Sequence, residues 1–149
     1  MAQEKPAIIE RSSQEAYAWL NDIADGLNRE GDLRGAYDAL RAVLHTLRDT
    51  LLPEEAMDLA SQLPTLIRGV FFEGYHLRKR PMVYRSQDEF AQAIDDLLSG
   101  AKINVLDPET CARVVFGVLS ERISEGQAAH ARGMLNKEAQ RLWPEGALR

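Results

Sequence analysis

Residues 36–72 decide the fold of this chain, and their sequence is AYDALRAVLHTLRDTLLPEEAMDLASQLPTLIRGVFF. Apolar side chains recur at steps of three and four from just before this stretch, which predicts a long helix with one buried face. Pro53, followed by two acids, predicts a second helix, because both suit a first helical turn. Pro64 interrupts that helix and predicts a third. The apolar positions of the long helix are Leu33, Tyr37, Leu40, Leu44, Leu47 and Leu51.

The same order of features returns in the second part of the chain. Residues 43–44 align with residues 118–119, and residues 70–71 align with residues 142–143 once the loop near Ser124 is shortened by three residues. The match is one of apolar pattern more than of identical residues. Because two copies are too few for an extended solenoid, we expect the two halves to close around one core.

The fold class follows from the same spacing along the whole chain. No segment alternates with a period of two over a useful length, and runs of β-branched residues are absent, so the sequence predicts an all-α fold. A chain of 149 residues with 45% hydrophobic content suits one domain with a sizeable core. We expect a single helical-bundle domain of about eight helices at residues 12–144, with four-helix halves at 12–72 and 86–144, a connector at 73–85, a flexible tail at 1–11 and a C-terminal tail at 145–149.

Helix starts are marked by side chains that accept a hydrogen bond from the free backbone N–H groups of a first turn. Ser12 with Glu15, and Ser86 with Glu89, have the spacing of a capping box. Gly100 predicts the end of the helix that Ser86 begins. Single caps are expected at Asp32, Asp107, Ser124 and Asn136.

Charge and cysteine content narrow the class of protein. The net charge is −5 and the first 74 residues carry −6, which argues against a nucleic-acid binder because phosphate contacts require a basic surface. Cys111 is the single cysteine, so we expect a buried structural thiol in a reducing cytoplasm. No stretch is apolar enough for a membrane helix, and residues 1–11 lack the pattern of a signal peptide.

The connector is the strongest candidate for a site, because it collects cations, aromatic rings and a histidine between the two halves. Such a segment could hold a small anion or dock an acidic partner surface. The plainer interpretation, which the residues alone favour, is a solvated linker whose rings fill the core between the two halves. The candidate ligand-binding or partner-binding residues are Arg68, Tyr75, His76, Arg78, Lys79, Arg80, Tyr84 and Arg85.

Two further residues have expected roles in the fold. Arg68 is expected to pair with a carboxylate such as Glu73 and to fix the end of its own helix, in preference to contacting a ligand. His45 lies on the long helix and is expected at the surface or only partly packed, in preference to acting as a metal ligand.

The sequence predicts no catalytic residue, metal site or cofactor. Glu73 and His76 have the Glu-x-x-His spacing of di-iron bundles, but a second such pair is missing and Gly74 weakens the helix that they would need. His45, His76 and His130 lie far apart, and no set of His and Cys has zinc spacing. A Gly-x-Ser-x-Gly elbow is also missing.

Several short motifs resemble those of a known family. They are Ala-Leu-Arg-Ala-Val-Leu at 39–44, Leu47-Arg48, Glu55-Ala56, Gln62-Leu63-Pro64, Arg68-Gly69, Asp88-Glu89-Phe90, Val115-Phe116-Gly117-Val118-Leu119 and Leu142-Trp143-Pro144. Over roughly residues 14–144 this set resembles the bacterial domain-of-unknown-function family 2267. The chain has Asn136 where the family often has proline, and Tyr75 where tryptophan is common. The resemblance implies a helical bacterial protein and brings no activity with it.

These observations favour a non-enzymatic interaction or scaffold protein of the bacterial cytoplasm, whose partner is another protein or a second copy of the chain. The alternative is a small-ligand or anion-binding protein, with an enzyme among the options, that uses a pocket lined by Tyr75, His76, Tyr84 and nearby arginines. Nucleic-acid binding through residues 78–85 is the weakest interpretation, because the basic patch is short and the chain is acidic.

Overall fold

The computed structural model describes residues 4–77, 80–98 and 106–144. Within these ranges the chain forms eight α-helices and no strand, which confirms the predicted all-α fold. The helices are α1 (Ala7–Gly26), α2 (Leu33–Asp49), α3 (Pro53–Ser61), α4 (Thr65–Phe72), α5 (Gln87–Leu98), α6 (Pro108–Arg122), α7 (Glu125–Gly133) and α8 (Lys137–Gln140).

Helix α2 is the centre of the bundle, and it packs against α1, α4, α5 and α6. Every residue from 42 to 48 is buried, so the helix is surrounded along its C-terminal half. Of the predicted apolar stripe, Leu40, Leu44, Leu47 and Leu51 are buried and the two N-terminal members are half-buried. The long helix at the start of the quoted stretch therefore organises the core.

Aromatic rings join the later helices to that core. Phe90 of α5 lies 6.1 Å from Phe116 of α6, ring centre to ring centre, and Phe116 stacks on Trp143 at 4.4 Å. The indole N–H of Trp143 donates to the Ser120 hydroxyl at 2.7 Å. Because this buried indole is both stacked and hydrogen-bonded, the segment after α8 is held firmly to α6.

Most of the predicted helix starts are confirmed. The side chains of Asp32, Asp107, Ser124 and Asn136 each accept a backbone N–H from the first turn of α2, α6, α7 and α8, respectively. Ser86 accepts from Glu89 N–H at 3.1 Å, while the Glu89 carboxylate accepts from Arg85 N–H at 2.6 Å. The end of α5 predicted at Gly100 lies outside the described residues.

The predicted start of the first helix at Ser12 is wrong. Helix α1 begins at Ala7, after Pro6, so Ser12 lies inside it and is buried. The hydroxyl of the next residue, Ser13, donates to Ile9 O at 3.1 Å, an internal helix contact. The residues before Ser12 contain nothing that opposes a helix, so α1 continues backwards to the proline.

The two halves have the same order of helix lengths, two long helices followed by two shorter ones. They are not separate bodies, because α2 packs against α5 and α6, and α1 packs against α6. An internal duplication stays a prediction.

The second part of the connector is extended and is attached at two points. Met82 N–H donates to Asp49 O at the end of α2 at 2.7 Å. The side-chain amide of Asn136 donates to Tyr84 O, and the same residue caps α8 through its carbonyl oxygen. These bonds fix the connector between the end of α2 and the start of α8.

Candidate functional site

The C-terminal end of α4, where the connector begins, is held by side chains from α2. His45 Nε2 lies 2.7 Å from Val70 O. Arg48 Nη1 donates to Phe71 O and to Glu73 O, both at 2.9 Å. The last carbonyl groups of a helix lack partners within the helix and carry its negative dipole end, so these contacts act as a cap built from another helix.

Arg48 is a buried cation, and its guanidinium is engaged by groups within the chain. Its side chain is 6% exposed, and Nε donates to the Asp49 carboxylate at 3.0 Å. The guanidinium carbon lies 5.2 Å from the centre of the Tyr75 ring, a cation–π distance. Arg48 therefore fixes Tyr75 and the first residues of the connector in place.

His45 is buried, and the expectation of a surface or partly packed residue is wrong. Burial lowers the pKa of its imidazole below the ordinary 6.5, the bond to Val70 O partly opposes this shift, and the charges of Arg48 and Arg41 add to it. The ring is therefore neutral at pH 7, and because Val70 O can only accept, Nε2 carries the proton.

Arg68 caps a different helix from the one on which it lies. Its Nε donates to Ala60 O and its Nη2 to Leu63 O, both at 3.0 Å, at the C-terminal end of α3. The prediction that Arg68 fixes the end of its own helix by pairing with Glu73 is wrong, because the bonds of Arg68 go to the end of α3. The Glu73 carboxylate instead accepts from Arg41 Nε of α2 at 3.1 Å.

Tyr75 and His76 lie at a very small cavity. Its volume is about 40 Å³, room for a few water molecules, whereas small-molecule sites measure roughly 300–1,000 Å³. Arg48 and Asp49, which both line this cavity, already form an ion pair with each other. The lining residues are Arg48, Asp49, Leu51, Leu52, Pro53, Tyr75, His76 and Pro81.

Arg80 and Tyr84 lie at a much larger opening, which we call the connector groove. It has a volume of about 480 Å³ between the extended part of the connector, α5 and the α7–α8 turn. Val83 is 74% exposed, and Met82 and Met134 are each 38% exposed. The groove is lined by Thr50, Arg80, Pro81, Met82, Val83, Tyr84, Phe90, Met134, Leu135, Asn136 and Ala139.

The predicted site residues are thus divided among several places. Arg68 is part of the α3 cap, Tyr75 and His76 line the small cavity, and Arg80 and Tyr84 line the connector groove. Arg85 is exposed, and its backbone N–H bonds to Glu89. Arg78 and Lys79 lie outside the described residues.

Cys111 is buried, as predicted, and it does not suit nucleophilic chemistry. Burial, with a smaller contribution from Asp107, raises the pKa of its thiol to about 12, so the reactive thiolate is scarce at neutral pH. Across residues 4–77, 80–98 and 106–144, no three His, Cys, Asp or Glu side chains come close enough together to hold a metal ion. Nor is any helix in these ranges long and apolar enough to span a membrane.

Sequence reasoning missed a second opening, which we call the α1–α6 groove. Its volume is about 490 Å³, and a shallower depression of about 290 Å³ along the same helices shares Glu121 with it. Glu15 and Trp19 lie one turn apart on α1, a spacing that gives them a common face and that could have signalled the groove. The lining residues are Glu15, Trp19, Gln62, Leu63, Pro64, Glu121 and Arg122.

The fold and its openings define an all-helical protein whose larger openings are surface grooves. A family model described as Uncharacterized conserved protein (DUF2267) matches residues 16–142. The chain belongs to this family, which confirms the resemblance drawn from its motifs. A comparison with curated proteins gives no significant match.

Proposed function

We propose that this protein is a non-enzymatic interaction module that binds a segment of a partner protein in the connector groove. The observation that carries the proposal is the gathering of Met82, Val83 and Met134, all exposed, around one groove. Exposed apolar side chains that adjoin one another are typical of protein-binding surfaces. The buried, unpaired Cys111 supports a reducing compartment, and we propose the bacterial cytoplasm.

The lining of the groove indicates the chemistry of the partner. Its walls are mostly apolar, and Arg80 is the one charged residue that lines it among the described residues. A matching segment therefore carries apolar side chains next to an aspartate or glutamate, which pairs with Arg80 at the edge. The two methionines can adjust to different apolar shapes, because their side chains are flexible and polarisable.

The groove is prepared before a partner arrives. The backbone bond from Met82 to Asp49 and the side-chain bond from Asn136 to Tyr84 O hold its connector wall. The Tyr84 ring packs edge-on against Phe90 at 5.6 Å between ring centres. A preformed surface loses little conformational freedom on binding, which favours affinity.

A peptide-display selection against the purified protein tests this proposal. We expect the enriched peptides to combine apolar residues with Asp or Glu, and to bind Val83→Asp and Met134→Asp at least tenfold more weakly than the parent. Leu66→Asp is the matched control, since Leu66 is 47% exposed on α4 and does not line the groove. Leu66→Asp should bind the selected peptides with the same affinity as the parent.

Two outcomes would contradict the proposal. One is a selection that enriches no peptide sensitive to Val83→Asp. The other is a dimer, seen by light scattering, that Val83→Asp converts to a monomer, since this would assign the connector groove to a second copy of the chain.

A small apolar ligand is the second candidate, because the volume of the connector groove lies within the range of small-molecule sites. Any compound that binds only the folded state raises the melting temperature. A thermal-shift screen of metabolites, anions and metals, repeated on Val83→Asp, tests it. A shift lost in the variant would favour this candidate, and the absence of any shift would favour a protein partner.

A further inference from the structure

Trp19 lines the α1–α6 groove, and its indole N–H is a hydrogen-bond donor without an acceptor among the described residues. The residue is only 3% exposed, yet no described residue accepts a hydrogen bond from its indole N–H. Every fully buried side-chain nitrogen or oxygen in the described ranges has a partner, so Trp19 Nε1 must reach the surface, and Trp19 is one of the residues that line the groove. Trp143, the other tryptophan, donates instead to Ser120.

Two carboxylates in the same groove also lack partners. Neither Glu15 nor Glu121 forms an ion pair with a described residue. Arg122, the one cation among the described residues that line the groove, is already engaged, since its Nη2 and Nε lie 2.7 and 2.8 Å from the Asp22 carboxylate. The lining of the groove therefore carries a net negative charge and includes Trp19, whose N–H donor has no acceptor among the described residues.

We propose that the α1–α6 groove binds a basic segment of a partner protein. A backbone carbonyl of that segment accepts from Trp19 Nε1–H, and its lysine or arginine side chains pair with Glu15 and Glu121. The aliphatic stems of those side chains pack on Pro64, which is half-buried and also lines the groove. The surface is separate from the connector groove, because the two share no lining residue.

The combination of donor and carboxylates selects a peptide over other cationic or anionic partners. A polyamine would pair with Glu15 and Glu121, but it has no acceptor for the indole N–H. A nucleic acid has phosphate acceptors, but the carboxylates repel them. A basic peptide satisfies both requirements, because each residue supplies a carbonyl and some supply a cation.

Nuclear magnetic resonance of the indole groups tests the proposal directly. The chain has two tryptophans, so a ¹⁵N-labelled sample gives two indole N–H signals that single Trp→Phe variants assign. The probe is a capped decapeptide with four lysines among alanines, together with its arginine counterpart. We expect the Trp19 signal to shift on titration with one or both probes while the Trp143 signal stays in place.

Matched variants identify the groups that bind. Glu15→Gln with Glu121→Gln should weaken the peptide at least tenfold, and Trp19→Phe should weaken it severalfold while it keeps a ring in the groove. Asp58→Asn with Asp95→Asn is the control, because both carboxylates are exposed and neither lines the groove. Raising the salt concentration should also weaken binding.

The proposal is overturned if neither peptide shifts the Trp19 signal, or if the affinity is the same in Glu15→Gln with Glu121→Gln as in the parent. It is also overturned if spermine shifts that signal as strongly as the peptides do. None of these results bears on the connector groove, since Val83 and Met134 are left unchanged.

Discussion

Arg48 shows how one side chain in the core can fix both a helix and a loop. Its guanidinium bonds to Phe71 O, Glu73 O and the Asp49 carboxylate, and it lies over the ring of Tyr75. A buried charge is costly unless its hydrogen bonds are all made. At this position they tie the end of α2 to the end of α4 and to the connector.

We predict that Arg48→Met lowers the free energy of unfolding by about 3 kcal/mol, because it leaves buried carbonyl groups and the Asp49 carboxylate without their donor. Urea denaturation of the purified proteins measures the effect. Arg34→Met, on the exposed side of α2, is the control and should change stability by less than about 0.5 kcal/mol. If Arg48→Met also changes stability by less than about 0.5 kcal/mol, the hydrogen bonds of Arg48 are not needed for the fold.

We predict that His45 makes the fold less stable in mild acid. Because burial lowers its folded pKa below 6.5, the unfolded chain binds a proton first as the pH falls. The stability contributed by neutral His45 is thus complete above pH 6.5 and is lost as the pH falls through the folded pKa. For one proton, the free energy of unfolding changes by at most about 1.4 kcal/mol per pH unit.

Urea denaturation between pH 7.5 and 5.5 should show a smaller loss for His45→Gln than for the parent, since glutamine can donate to Val70 O but does not titrate. His76→Gln, at an exposed position, should keep the parental pH dependence. The same pH dependence in the parent and His45→Gln would contradict the assignment.

At the scale of the elements, short helices are stabilised by donors from their neighbours. The C-terminal end of α3 receives Arg68, and that of α4 receives His45 and Arg48. Helices of eight or nine residues are marginal in isolation, so much of their stability must come from tertiary contacts. Arg48 and Arg68 thus act within the fold.

We predict that Gly26→Ala destabilises the contact between α1 and α6. A Cβ atom at Gly26 would lie 2.6 Å from Val114 Cγ1, and a valine has few rotamers with which to move away. The cost should be about 1–2 kcal/mol, typical of overpacking. Adding Val114→Ala should restore part of the loss, and a double-mutant cycle by urea denaturation measures the coupling. Additive losses would mean that the two residues do not meet.

The sequence predicted the helices well because their signals are local. Period, prolines and caps such as Asp32 and Asn136 depend on residues a few positions apart, and the structure confirms them. The candidate site was harder to predict, because it depends on distant contacts. His45 bonds to Val70 O, and Arg68 bonds to Ala60 O and Leu63 O. The spacing of apolar residues along the chain cannot reveal these contacts.

At the scale of the whole molecule, the chain folds around one core that both halves share. The buried side of α2 faces α5 and α6, and α1 also contacts α6. Separated halves would expose these apolar faces to water, at a cost of about 25 cal/mol for each Å². The two proposed partner surfaces are therefore held on one body.

We predict that a fragment of residues 1–85 does not fold alone, because it would leave the α5-facing and α6-facing sides of α2 uncovered. Circular dichroism should show reduced helix content and no cooperative thermal transition, whereas the full chain unfolds in one step. Mixing it with a fragment of residues 86–149 should restore helix content. A cooperative transition in the isolated fragment would mean that the halves are independent units.

The central claim is that the protein works through a surface groove that binds a partner segment. An amide chemical-shift map of the ¹⁵N-labelled protein, titrated with the tightest peptide from the display selection, tests it most directly. We predict that the largest changes fall on residues 80–84 and 134–139, which line the connector groove. Changes centred on the small cavity at Tyr75 and His76, or spread over the bundle without a centre, would contradict the claim.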